Sequence, residues 1–116
     1  MSSDLDFIEY VIDQMEGAGV ITYKPMFGGH TVYCQGKVVA LICDNQLFVK
    51  PTRAGRNFIG DVVEAPAYQG ARLSFLIEEE LEDKEWISHL IKLTEKELPI
   101  PKPKKKTKKK NRKKLL

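Results

Sequence analysis

The imidazoles and thiols of this 116-residue chain are His30, His89, Cys34 and Cys43. A zinc site draws such ligands from short, regular spacings, and neither Cys-x-x-Cys nor His-x-x-x-His occurs here. If Gln35-Gly36 is a two-residue hairpin turn, Cys34 pairs opposite Lys37 and Cys43 lies six residues further along. At ~3.3 Å per residue that separation is ~20 Å, too far for a disulfide. A Cys43/His30 metal or thiolate pair is one reading; a packed, reduced Cys beside a hydrogen-bonded His is the other. Glu78, Glu79, Glu80, Glu82, Asp83 and Glu85 crowd a second region with carboxylates. Acid–base chemistry needs two carboxyls in a cleft with different environments, whereas a consecutive run suits a helix entrance favoured by the N-terminal dipole. Gly28-Gly29 is followed by a strand pattern and no Gly-Lys-Ser/Thr, so it is not a phosphate loop. With no nucleophile elbow or Ser/His/Asp order, the expectation is a non-enzyme with no catalytic residue, metal, cofactor or small-molecule substrate.

The remaining chemistry is charge. Of the 19 Lys+Arg, ten crowd into the last fifteen residues: Lys102, Lys104, Lys105, Lys106, Lys108, Lys109, Lys110, Arg112, Lys113 and Lys114. Residues 1–101 hold the other nine against all 16 Asp+Glu, a net of −7 against +10 for the tail. Such a density of like charge self-repels and buries no core, so the tail is expected to be disordered and to seek polyphosphate. Contacts to ~5–8 phosphates would make binding steeply salt dependent. The tail holds no aromatic residue for base stacking, so its nucleic-acid binding is expected to be non-specific. The alternative is a tail that binds acidic partner proteins or the chain's own acidic helices, with no direct role on DNA. Lys50, Arg53 and Arg56 are candidates for a secondary basic patch on the body.

These groups must be positioned by a small body. Leu5, Ile8, Val11, Ile12 and Met15 recur at helical spacing, and Gly17 and Gly19 end that helix. From Val20 the period changes. Ile21–Phe27, Thr31–Cys34, Val38–Cys43 and Leu47–Lys50 read as strands of a meander, separated by Gly28-Gly29, Gln35-Gly36 and Asp44-Asn45. Pro51 ends the ladder and Thr52 caps a short helix closed by Gly60. Ala67-Tyr68 and Arg72–Ile77 read as a second hairpin across Gln69-Gly70. A last helix runs from about Asp83 to Leu98, and Pro99, Pro101 and Pro103 forbid its continuation. The order α-ββββ-α-ββ-α predicts a two-layer α+β domain over residues 1–98, followed by a spacer and tail over residues 99–116. The acidic N-terminus is unlike a secretory signal and no apolar run approaches ~20 residues, so a cytoplasmic protein with no membrane partner is expected.

With regular pairing, His30, Val32, Cys34, Val39, Leu41, Cys43 and Phe48 share one face of the sheet. Tyr33, Val38, Ala40, Ile42, Leu47 and Val49 share the other. Both faces are apolar, yet only three helices are available to cover them. A partner protein or a second copy of the chain would cover the second face; the alternative is a curled sheet covered by its own helices.

The segment Met26-Phe27-Gly28-Gly29, with Tyr33, Gly36, Ala40-Leu41-Ile42 and Leu47-Phe48-Val49-Lys50, resembles the N-terminal domain of the TfoX/Sxy family, regulators of natural competence genes in bacteria. The likeness extends through Phe58, Tyr68–Gly70 and Trp86, over roughly Gln14 to Leu98. A standalone domain of that type is expected, with the Lys-rich tail where full-length competence regulators carry a separate C-terminal helical domain. Physically, Gly28-Gly29 suits a bend needing positive φ or close backbone approach, and Phe27, Tyr33 and Phe48 suit core or cross-strand positions. The resemblance implies a regulatory role through protein contact, including contact with a transcription regulator such as the cyclic-AMP receptor protein.

Overall fold

The computed structural model describes residues 4–26 and 28–99. Helix α1 spans Leu5–Gln14, four strands follow as β1 (Ile21–Met26), β2 (Gly29–Cys34), β3 (Lys37–Cys43) and β4 (Gln46–Val49), and α2 spans Arg53–Ile59. Strands β5 (Glu64–Pro66) and β6 (Leu73–Ile77) precede the final helix, α3 (Lys84–Glu97). The six strands form one antiparallel sheet in the order β1-β2-β3-β4-β6-β5. No helix among the described residues is long and apolar enough to cross a membrane.

Local chemistry accounts for most element ends. Gln35 and Gly36 both have positive φ (53° and 81°), as do Asp44 and Asn45 (54° and 57°), the geometry that matches a two-residue turn to the twist of its strands. Gly28 has φ +80° with open space around it, while a Cβ on Gly29 would lie 2.6 Å from the Ile42 carbonyl oxygen. One glycine thus serves the bend and the other the close approach of β2 to β3. Asp83 caps α3 by accepting from the Trp86 amide at 3.1 Å. Leu98, held extended ahead of Pro99, ends the helix. Ile87, Leu90, Ile91 and Thr94 make the buried stripe of α3, and Ile8, Val11 and Met15 that of α1. Full burial of each Leu or Ile is worth about 1.5–3 kcal/mol.

Two expectations need correction. The first strand of the second hairpin is Glu64–Pro66, not Ala67-Tyr68, and six residues rather than a tight turn lead to β6. More consequentially, the β2–β3 ladder is not regular. Tyr33 pairs with Val38 but Val32 pairs with Ala40, leaving Val39 as an inserted residue. Beyond it every side chain of β3 changes face relative to the regular register. Val32, Ala40, Ile42, Leu47, Val49, Phe75 and Ile77 therefore lie on the face packed with α1 and α3, together with the buried Val39. Tyr33, Val38, Leu41, Phe48 and Leu76 lie on the opposite face. His30 pairs with Ile42, which sends Cys43 to the other side of the sheet from His30.

Candidate functional site: a groove on the open face of the sheet

The core gathers residues of α1 and α3 against one sheet face. The other face forms a groove of about 700 Å³, within the ~300–1,000 Å³ range of ligand-holding clefts. Its floor is Thr31 from β2, Leu41 from β3 and Phe48 from β4, with Met26, Tyr33 and Val38 along one side. The connection between β5 and β6 supplies a lip through Tyr68 and Gly70–Leu73, and Leu98 lines the groove from the end of α3. Thr31 and Phe48 are only 4% and 3% exposed, whereas Tyr68 and Leu73 stand at the lip 44% and 53% exposed. Thr31 Oγ1 donates to Met26 Sδ at 3.1 Å, so the polar group on the floor is occupied locally.

Lys50 and Arg72 line the groove, and among the described residues the lining holds no Asp or Glu. Lys24 pairs with Thr31 in the ladder and so stands on the same face, its Nζ 5.8 Å from the Tyr33 ring centroid, within cation–π range. None of these three cations forms an ion pair among the described residues. Ion pairs join Lys37 to Glu95, Arg56 to Glu64 and Lys84 to Asp13.

Leu98 is held by Lys37. Lys37 Nζ bonds Glu95 Oε2 at 2.9 Å and donates to the carbonyl oxygens of Glu95 and Leu98 at 2.9 and 3.0 Å. It thereby supplies a cation to the carbonyl end of α3 and holds Leu98 in place. Glu97, one residue earlier, reaches the N-terminus of α2, accepting from the Arg53 and Ala54 amides at 2.8 and 2.9 Å. The Ala54 and then the Arg53 N–H hold its carboxyl below the usual carboxylate range. Thr52 Oγ1 accepts from Gly55 N at 3.0 Å, so the start of α2 has both a side-chain cap and a carboxylate from α3.

The candidate basic patch is distributed by this arrangement. Lys50 belongs to the groove. Arg53 opens α2 over the Glu97 carboxylate. Arg56 is paired with Glu64 at 2.8 Å and lies over the Phe75 ring at 5.3 Å. Of the motif residues, Met26, Tyr33, Phe48 and Lys50 border the groove, Leu47 is core, and Gly28 and Gly29 shape the entry to β2. Phe27 and the tail cations Lys102 to Lys114 lie outside the described residues.

The thiols and imidazoles do not converge. Cys34 and Cys43 are free, and no group of three His, Cys, Asp or Glu among the described residues could hold a metal ion. Burial first, and then Glu95, push the Cys34 thiol up, while Lys37 pulls the other way. His30 packs edge-on to Tyr23, and its buried Nδ1 finds no hydrogen-bond partner among the described residues, unlike the hydrogen-bonded His expected from the sequence. The Glu78–Glu85 region is a 3-10 turn (Glu79–Glu82) leading into the cap of α3, with its carboxylates exposed.

The groove was legible as an apolar second face, but its composition was not. The inserted Val39 exchanges the floor residues, and the lip comes from the Tyr68–Leu73 loop, where Arg72 had no periodic partner to mark it. Lys37 carried no signal at all, because its partners lie some sixty residues away in sequence (separations of 58 and 61).

The family model described as the TfoX N-terminal domain matches residues 13–98, which include every described residue lining the groove. An uncharacterized 12.7 kDa protein in the trpE 5′ region of Spirochaeta aurantia is 34% identical over 104 residues, covering 90% of each chain.

Proposed function

The chain belongs to the TfoX N-terminal domain family, and from that membership we propose that it is a small regulatory adaptor. Its folded body makes protein contact through the open sheet face, and residues 102–114 add sequence-independent affinity for nucleic acid. The observation that carries this reading is the groove itself, an apolar concavity of about 700 Å³ on a sheet face that the helices leave open. The tail contributes through its sequence: ten cations in thirteen positions, without an aromatic residue. The body at −7 is repelled by polyphosphate as a whole. Affinity for nucleic acid and choice of protein partner therefore fall on opposite sides of Pro99.

Removal of residues 102–116 tests the division. Intact chain should bind generic duplex DNA with log K falling against log salt at a slope of about −5 to −7, and the truncated chain should lose that binding. Equal binding by both would refute the tail's role. In a pull-down with nuclease treatment, a partner held through the body stays bound after digestion. Loss of every partner on digestion would refute the adaptor reading.

A further inference from the structure

Resting on the reading of the body as a protein-contact module, we infer that the groove receives an acidic segment of a partner protein that carries apolar anchor residues. Leu41 at the floor and Tyr68 and Leu73 at the lip offer apolar surface to such anchors. Charge selects the rest. In a body of net −7, this concavity is lined, among the described residues, by no acid and by two cations, Lys50 and Arg72, with Lys24 beside it on the same face. All three are exposed and lack an ion pair among the described residues, so a carboxylate arriving there breaks no ion pair among them. Complementary charges of this kind set the orientation and the choice of partner, while the apolar anchors supply the buried surface.

Other occupants fit the charge less well. A second copy docked face to face would bring two Lys50 and two Arg72 side chains around one space. The chain's own tail would add ten cations to those already there. Single-stranded nucleic acid would satisfy the cations, but it relies on accessible rings for stacking. Phe48 is covered, leaving Tyr33 and Tyr68, and the acidic body opposes a polyphosphate.

The test is selection of a random twelve-residue displayed peptide library on the full chain. Binders to the Lys50→Glu/Arg72→Glu double variant, which keeps the same tail, are removed first. Both side chains are exposed, and an unchanged melting temperature of the variant checks that its fold survives. The expected outcome is a set of peptides rich in Asp and Glu with two or more large apolar residues. Their binding should be about tenfold or more weaker to the double variant, and their amide shifts should fall on Tyr33, Leu41, Phe48 and Leu73. Groove-binding peptides without acidic enrichment would overturn the inference while leaving protein contact standing. Failure to recover any peptide that distinguishes the wild type from the variant would overturn both. Groove shifts produced by oligodeoxythymidine, with no peptide binder, would assign the face to nucleic acid and overturn the inference.

Discussion

Lys37 offers a quantitative handle on how the groove is held. Its side chain is 13% exposed, its partner Glu95 is 21% exposed, and Nζ has three oxygen partners within 3.0 Å. In Lys37→Met the apolar stem is largely retained, so the loss is confined to the ammonium. Glu95 is then left without its counter-charge, and the carbonyls of Glu95 and Leu98 lose their donor. Hydrogen bonds from a charged donor contribute about 1.5–3 kcal/mol when desolvated, and a cation at a helix C-terminus about 0.3–1 kcal/mol. Allowing for the exposure that remains, the net cost should be about 2–3 kcal/mol. In a domain of this size each kcal/mol moves the melting temperature by about 4–8 °C, so a fall of about 8–24 °C is expected. Urea and thermal unfolding of the full chain, followed by circular dichroism, would measure it. Glu95→Gln should cost less than Lys37→Met, because the two carbonyl bonds survive, and the double variant should cost less than the sum of the singles. A Lys37→Met variant within about 0.5 kcal/mol of wild type would refute the assignment of this lysine as the clamp on α3 and Leu98.

Two further outcomes follow from geometry. Gly29→Ala drives a Cβ to 2.6 Å from the Ile42 carbonyl oxygen, where backbone must move, and should cost about 2–4 kcal/mol. Gly28→Ala meets nothing but a φ of +80° and should cost about 1 kcal/mol; equal urea midpoints for the two would contradict this division of labour. Glu97, whose folded carboxyl is held low by the α2 amides, contributes stability that is present above the ordinary carboxylate range. That contribution is lost as pH falls through the lowered value. The stability gap between wild type and Glu97→Gln should therefore be constant from neutral pH to about pH 5 and narrow below it. A gap that stays flat to about pH 2 would sink the linkage.

What the sequence made legible is what short-range chemistry specifies. The stripe of α3, its Asp83 cap and its end before Pro99 all rest on contacts within four residues. The turns Gln35-Gly36 and Asp44-Asn45 are written in residues that tolerate positive φ. What escaped depends on partners far along the chain. In Val38–Cys43 every residue is apolar, so an inserted residue leaves no trace in the periodicity and both phases read alike. Glu64–Pro66 is a strand because β6 lies beside it; its own residues, with a terminal Pro, suit only an edge. Lys37 reads as a surface residue until α3 arrives to meet it.

Val39 has a consequence for how this domain can vary. The helix-facing core and the groove floor are written in alternate letters of the same strands, and one inserted residue sets which letters face which way. Taken into the ladder opposite Val32, Val39 would turn Leu41 and Phe48 toward the helices and Ala40, Ile42 and Leu47 toward the groove; its loss would leave Ala40 opposite Val32 and both faces as they are. Side chains on the groove floor can be exchanged one at a time, retuning the surface while the core stands. The paired residues of β3 have no such freedom, since a one-residue change within the ladder that the bulge does not absorb rewrites both surfaces together. Relatives that keep this groove are thus expected to differ in its letters and to agree in the spacing of its paired residues.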